Sequence, residues 1–298
     1  MKSLVTGGAG FIGSNLVNEL LLLGHEVVVI DNESSDAHKY PYWNTKSVNH
    51  KKDICDYDST RDLYNGVDYV FHLAAEARIQ PTINNPLKAT LVNTFGTNVV
   101  LQCAREAGVK RVMYSSTSAG YGSNELPNVE DQPDDCLNPY SVSKVNGEKL
   151  CKMYTDLFGL ETIVFRYFNV YGNNQPVSGQ YAPVMGIFGR QKLEGDSLTI
   201  VGDGEQRRDF INVLDIVKAN ILAATTKIDQ EYFGTVFNIG SGTNYSINEI
   251  AKMYDNAIVH VPARTGEMKA TLANIEKAKA LLGWNPSIEL EKWLGEQK

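Results

Sequence analysis

TGGAGFIG, Thr6 to Gly13, follows the apolar run Lys2 to Thr6 and opens a helix-like segment; that context decides the fold. Gly8, Gly10 and Gly13 fit the spacing G-x-G-x-x-G, with Gly7 as an extra small residue. Glycine there permits a tight turn, close approach of the backbone to a pyrophosphate, and tight packing of helix on strand. The amides at the start of the helix then face the phosphates. A plain strand-to-helix turn would explain the glycines, but not their context together with Asp31 at the end of the next apolar run, VVVID. A carboxylate at that place accepts from a ribose 2′-hydroxyl and repels a 2′-phosphate. No arginine adjoins it, so NAD is favoured over NADP.

Working outward, short β-branched runs alternate with longer helical patterns. KSLVT (2–6), VVVID (27–31), YVFHLA (69–74), RVMYSS (111–116), TIVFRYF (162–168) and VFNIG (236–240) read as strands buried on both faces. Helical segments near 11–23, 86–107 and 139–158 lie between them, two closed by Gly24 and Gly108. The pattern predicts an α/β fold, a doubly wound parallel sheet of Rossmann type. Beyond about residue 170 it loosens into glycine-rich loops and shorter helices. We therefore expect a nucleotide-binding domain over 1–170, with return segments near 208–240, and a smaller, interleaved C-terminal substrate-binding lobe over 171–298.

Composition narrows the function. The 298 residues, 43% hydrophobic and 21% charged, suffice for one large domain or two intimate ones. A net charge of −7 without a basic run argues against nucleic acid or an anionic membrane as partner. The longest apolar stretch, near Leu20 to Ile30, is broken by Gly24, His25 and Glu26, and the start leaves no room for a secretory signal. Cys55, Cys103, Cys136 and Cys151 show neither metal-binding nor disulfide spacing, so free thiols in a reducing cytoplasm, and no metal, are expected.

Several residues then stand out. Asp53, after the expected third strand, suits an adenine amino group but reads equally as a loop carboxylate. His72, in an apolar strand, reads as a satisfied core histidine. Ala74 and Ala75 let a cofactor approach, or simply pack. In NPYSVSKVNGEKL, Asn138 is an N-cap and Pro139 the first helical residue, so Tyr140 and Lys144 fall four apart on one helix face. A nearby ammonium and an oxidised nicotinamide both favour the phenolate of a tyrosine whose reference pKa is about 10. Tyr140 can then take a hydroxyl proton while hydride leaves the carbon.

TGGAGFIGS, HLAA, SST, YSVSK, RYFNVYG and RDFINVLDI, in that order and over essentially the whole chain, resemble the extended short-chain dehydrogenase/reductase family, and within it the UDP-hexose 4-epimerases. The resemblance implies that Thr117, Tyr140 and Lys144 are the catalytic hydroxyl, the acid/base and the residue that lowers the tyrosine pKa. It implies a cofactor shell of Gly7, Gly10, Phe11, Ile12, Gly13, Asp31, Asn32, Asp53, Ile54, Leu73, Ala74, Ala75, Asn93, Ser115, Tyr140, Lys144 and Tyr167. On the substrate side, beside Thr117 and Tyr140, it implies Asn169 and Arg208 on a diphosphate, Arg264 as a second such contact, and Glu267 at a ribose. Arg207 reads as solvated, and an exposed basic loop is an alternative for Arg264. The helices 86–107 and 139–158 resemble those of a family homodimer, although their apolar faces could be internal.

YSSTSAGYG, residues 114–122, separates two chemistries. Related 4,6-dehydratases and UDP-glucuronate decarboxylases continue the threonine with an acid, as TDE or TSE, and the dehydratases need that proton donor. Here Ser118 and Ala119 occupy those positions, and a methyl group transfers no proton. Ser116 and Ser118 support Thr117 or merely cap the strand end. An epimerase needs no such acid, because hydride leaves C4 and returns to its other face. Thr271 stands where a bulky residue closes the sugar pocket in epimerases restricted to UDP-glucose and UDP-galactose, which favours UDP-GlcNAc/UDP-GalNAc. Lys269 leaves a 6-carboxylate sugar open. A dehydratase, decarboxylase or reductase is the alternative, ahead of a non-catalytic NAD-binding regulator.

Overall fold

The computed structural model describes residues 1–36, 40–177, 182–263 and 268–296. Seven strands, β1 (Lys2–Thr6), β2 (Glu26–Asp31), β3 (Val48–Lys51), β4 (Tyr69–His72), β5 (Arg111–Thr117), β6 (Glu161–Tyr167) and β10 (Val236–Ile239), form one sheet in the order β10-β6-β5-β4-β1-β2-β3. Every pairing in it is parallel. Strand order reverses at β1, which opens a crevice at the carboxyl ends of β1 and β4, where such folds take nucleotides. Successive strand residues feed opposite faces. Val5, Val27, Val29 and Phe71 meet α1 (Phe11–Leu22) through Leu16, Val17 and Leu20. Leu4, Val28, Ile30 and Val70 enter the core on the other face.

That second face is covered by a chain of helices. α2 (Tyr57–Thr60) and α3 (Ile79–Asn84) are short; α4 (Pro86–Thr90), a π-helical turn (Leu91–Gly96) and α5 (Thr97–Glu106) together make up the segment predicted as one helix over 86–107. α6 (Pro139–Phe158) has the predicted bounds, with Asn138 accepting from the Ser141 amide at 2.9 Å and Gly159 in the left-handed region at φ 70°. The strand expected over 69–74 ends at His72, and Leu73 to Ala75 turn into the crevice as loop.

The rest of the chain adds β7 (Asn169–Tyr171), α7 (Val184–Glu194), β8 (Leu198–Val201), β9 (Arg207–Asn212), α8 (Val213–Thr225), β11 (Asn244–Ser246), α9 (Ile247–Tyr254), β12 (Ile258–Val261), α10 (Glu276–Leu282) and α11 (Leu290–Glu296). β11, β9 and β7 make a small sheet, and β12 pairs β8. A separate apolar core holds them, with Tyr171, Phe188, Ile200, Phe210, Ile250 and Tyr254. α8 returns to the large sheet, where Ile216 and Ala223 join the cluster under α1. Among the described residues no helix is long and apolar enough to cross a membrane.

Candidate active site

The glycine loop is built for close approach. Gly7 has φ 70°, and a Cβ there would lie 2.7 Å from the Ala74 nitrogen; a Cβ on Gly13 would lie 2.1 Å from the Gly7 carbonyl oxygen. Gly10 caps α1 without a side-chain hydrogen bond, and the first turn carries no acid, so its amides stay available to an anion. Gly7, Gly10, Phe11 and Ile12 keep partial exposure along this edge, whereas Gly8 and Gly13 are buried in the packing. Asp31 accepts from the Ala9 amide at 3.0 Å and the Glu33 amide at 2.8 Å, fixing it beside the loop. Asn32 donates to Asp53 at 3.1 Å, joining the ends of β2 and β3, with Ile54 buried beneath. These residues fit a dinucleotide with free ribose hydroxyls. When bound, NAD supplies a hydride acceptor.

Strand β5 and helix α6 bring the chemical groups together. Gly147 allows it: a Cβ there would lie 2.1 Å from the Tyr114 hydroxyl, which donates to the Lys144 carbonyl at 3.1 Å. Thr117 hydrogen-bonds the Tyr140 phenol and accepts from the Ala119 amide at 3.1 Å. Burial pushes the phenol above its ordinary value, and the Thr117 bond works the other way. Lys144, 2% exposed, lies with its Nζ 4.4 Å from the Tyr114 ring centroid. Burial pulls its ammonium down to about 7, against the opposing influence of Cys151 and Glu148.

A buried ionic brace stands behind this set. Ser116 donates a short hydrogen bond to Glu148, whose two oxygens also receive Arg166 Nε at 2.9 Å and Nη2 at 2.7 Å. Arg166 reaches Asp134 as well, at 2.8 Å. Sequence reasoning missed the brace, because Glu148 and Arg166 lie on different elements and only the fold pairs them. His72 is the satisfied core histidine it was read to be, bonded to the Thr6 and Thr97 hydroxyls at 2.7 and 2.9 Å. Burial, and secondarily Lys144, lower its pKa to about 3.

Other expected contacts take a different form. Asn93 is fully buried; its amide binds the Glu76 backbone at 2.8 and 3.1 Å and Ser143 at 2.9 Å. It therefore shapes the loop after β4 instead of offering its side chain to a cofactor. Ser115 donates to the Tyr167 hydroxyl at 3.1 Å, and Asn220 donates to that hydroxyl at 2.7 Å, so both polar ends are spent inside the protein. Burial raises Tyr167 to about 12.

On the facing lobe, Asn169 donates to the Asp209 carbonyl at 3.2 Å and to Thr271 at 3.5 Å. Thr271 is fully buried and also accepts from the Asp209 amide at 3.3 Å, so it presents no surface to a sugar and acts on the pocket only through its smallness and its hold on Asn169. Arg208 donates to the carbonyls of Arg207 and Lys269 at 2.9 and 3.3 Å. The Arg207 side chain is 40% exposed, as a solvated arginine would be, and it also binds Asn244 at 2.9 and 2.8 Å and Glu249 at 3.1 Å. Asp209 is fully buried, accepting from Ser241, Gly242 and Ala273. Arg264 and Glu267 lie outside the described residues.

A doubly wound sheet with a glycine cradle at its switch point, facing a Thr/Tyr/Lys set, defines a Rossmann-type enzyme that uses NAD. The sequence profile of the NAD dependent epimerase/dehydratase family matches residues 3–240, and the chain belongs to that family. It is 36% identical to the UDP-N-acetyl-alpha-D-glucosaminuronate decarboxylase of Bacillus cytotoxicus, over 99% of this chain and 96% of that one. The structure of the UDP-glucose 4-epimerase of Thermotoga maritima with UDP-glucose superimposes with a TM-score of 0.93 at 35% identity, covering 99% of this chain and 96% of that one. The UDP-N-acetylglucosamine 4-epimerase of Methanobrevibacter ruminantium M1, in complex with UDP-N-acetylmuramic acid, gives 0.90 at 32% identity, covering 99% and 96%. The relatives thus include both epimerases and a decarboxylase of UDP-sugars.

Proposed function

We propose that this protein is a UDP-sugar 4-epimerase, acting on UDP-GlcNAc and UDP-GalNAc and also on UDP-glucose and UDP-galactose. The observation that carries the reading is the end of β5. Ser118 and Ala119 follow Thr117, both buried, and neither can act as an acid. The carboxylate bonded to this strand end is Glu148, and both its oxygens are committed to Ser116 and Arg166. Tyr140 is thus the proton carrier available to the sugar: it takes the proton from the 4-hydroxyl, with Thr117 as its hydrogen-bond partner, and gives it back to the 4-oxygen, while NAD held by the glycine loop would accept the C4 hydride and supply it again to the other face of C4. That exchange interconverts C4 epimers and asks for no second acid.

Asn169 and Arg208 are assigned to the substrate diphosphate, for which a guanidinium is suited. The Methanobrevibacter relative, a UDP-N-acetylglucosamine 4-epimerase, supports the N-acetyl sugars as substrates. The decarboxylase relative supports a second reading, a 6-carboxylate sugar as substrate. The proposal includes a homodimer through α4 and α6 and the π-helical turn, where Leu87, Leu91, Phe95, Val142 and Leu157 are exposed.

Proton NMR of the protein with UDP-GlcNAc, UDP-glucose or UDP-glucuronate, without added reductant, tests both levels. The expected result is the C4-inverted sugar from the first two, faster from UDP-GlcNAc. Decarboxylated or keto products in its place would count against the epimerase.

A further inference from the structure

Arg78, at the N-terminal boundary of α3, is not among the residues assigned above to cofactor or substrate. Its guanidinium Nη1 lies 3.5 Å from Asp36 Oδ1, a carboxylate whose side chain is 95% exposed, while the Arg78 side chain is only 17% exposed. Its Nη2 is buried and has no hydrogen-bond partner among the described residues. A surface pair of that length contributes little, so Asp36 does not explain why the cation is held in this place. A buried guanidinium donor without an acceptor is costly to leave unmade.

Topology says where the guanidinium lies. Asp36 follows β2 and Arg78 follows β4, and β1 runs between those two strands. The pair therefore spans the carboxyl end of β1, where the glycine loop begins. The chain after β2 is drawn onto that loop, with the Tyr42 amide donating to the Ala9 carbonyl at 2.8 Å, and the chain after β4 touches it at Ala74. Among the described residues the two other buried side-chain atoms without partners, Arg166 Nη1 and Asn220 Oδ1, belong to side chains enclosed in the protein at 3% and 1% exposure. Arg78 alone of the three borders the crevice.

We propose that Arg78 binds a nucleotide diphosphate, and that this diphosphate is the one of the NAD cofactor, lying between the start of α1 and the guanidinium. Asp36 then holds the guanidinium across the glycine loop while Nη2 donates to a phosphate oxygen, a charge-assisted bond of the stronger kind. The diphosphate of a sugar nucleotide is the other source of the same chemistry, but the residues assigned to it, Asn169 and Arg208, stand on β7 and β9.

The test is titration calorimetry on the full chain: NAD into the ligand-free protein, and UDP into the NAD-loaded protein. Arg78→Met is expected to weaken NAD by about ten- to a hundredfold, the loss of one hydrogen bond to a charged group, and to leave UDP affinity unchanged. Arg78→Lys, which keeps the charge without the fork, should fall between wild type and Arg78→Met and serves should Arg78→Met not fold. Wild-type NAD affinity in the folded variants overturns the proposal. A loss confined to UDP overturns the assignment to the cofactor. Neither readout depends on which reaction the enzyme performs.

Discussion

Lys144 shows at the residue scale how function is held against stability. An ammonium at 2% exposure is placed beside the Tyr114 ring, and burial drags its pKa to about 7. The unfolded chain, with an ordinary lysine pKa of about 10.4, binds the proton more tightly, so between these values the unfolded state carries more protons. Stability therefore rises as pH climbs from 7 towards 10, and below 7 the full cost remains. Lys144→Met is expected to stabilise the ligand-free protein at pH 7, on the order of 2–4 kcal/mol, with a smaller gain at pH 9.5. Urea unfolding of both proteins at the two pH values reads this; an equal or lower stability of the variant at pH 7 would show that the lysine is compensated in place. The spacing of Tyr140 and Lys144, and the Asn138 cap before them, was legible because both are local to one helix. The hydrogen bond of Thr117 to Tyr140 was not, since it joins two elements 23 residues apart. Arg78 gave no signal either: a lone arginine in a loop carries no pattern until the fold pairs it with Asp36 from the chain after β2.

At the scale of elements, the site depends on how closely α6 lies on β5. The alternation of β5 and the bounds of α6 could be read from periodicity and caps, but not the contact of Gly147 with Tyr114. Two effects oppose each other when Gly147 is replaced. Alanine raises helix propensity by about 1 kcal/mol. Its Cβ would meet the Tyr114 hydroxyl at 2.1 Å and the ring carbon bearing it at 2.5 Å, with that ring fully buried and unable to swing aside. Overpacking of this sort costs about 1–3 kcal/mol or more, so packing wins. Gly147→Ala should lower unfolding free energy in urea despite the better helix former, and a gain of stability would show that α6 has room to move. The π-helical turn before α5 makes the same point. The pattern over 86–107 reads as one helix, yet the wider turn carries Asn93, whose amide binds the Glu76 backbone and Ser143. Nothing in the local pattern marks the insertion, because its partners come from the loop after β4 and from α6.

For the whole molecule, the sheet places a cofactor cradle and Tyr140, the proposed proton carrier, at one switch point, and the smaller sheets carry Asn169, Arg208 and Asp209. That the large sheet is parallel and doubly wound followed from the glycine motif and the alternation of strands and helices, whereas the small sheets, with three strands and two, were too short for periodicity to mark. Thr271 was read as a pocket residue from its place in a motif; the fold buries it, because its hydroxyl joins Asn169 to β9. The central claim is that one tyrosine moves one proton back and forth while C4 is inverted and nothing is eliminated. The direct measurement uses UDP-GlcNAc and UDP-glucose deuterated at C4, incubated without reductant, with NMR and mass spectrometry of the recovered sugars. The account predicts the C4 epimer with its deuterium still on C4 and no keto or dehydrated product. Elimination, or loss of the label to water, would contradict it.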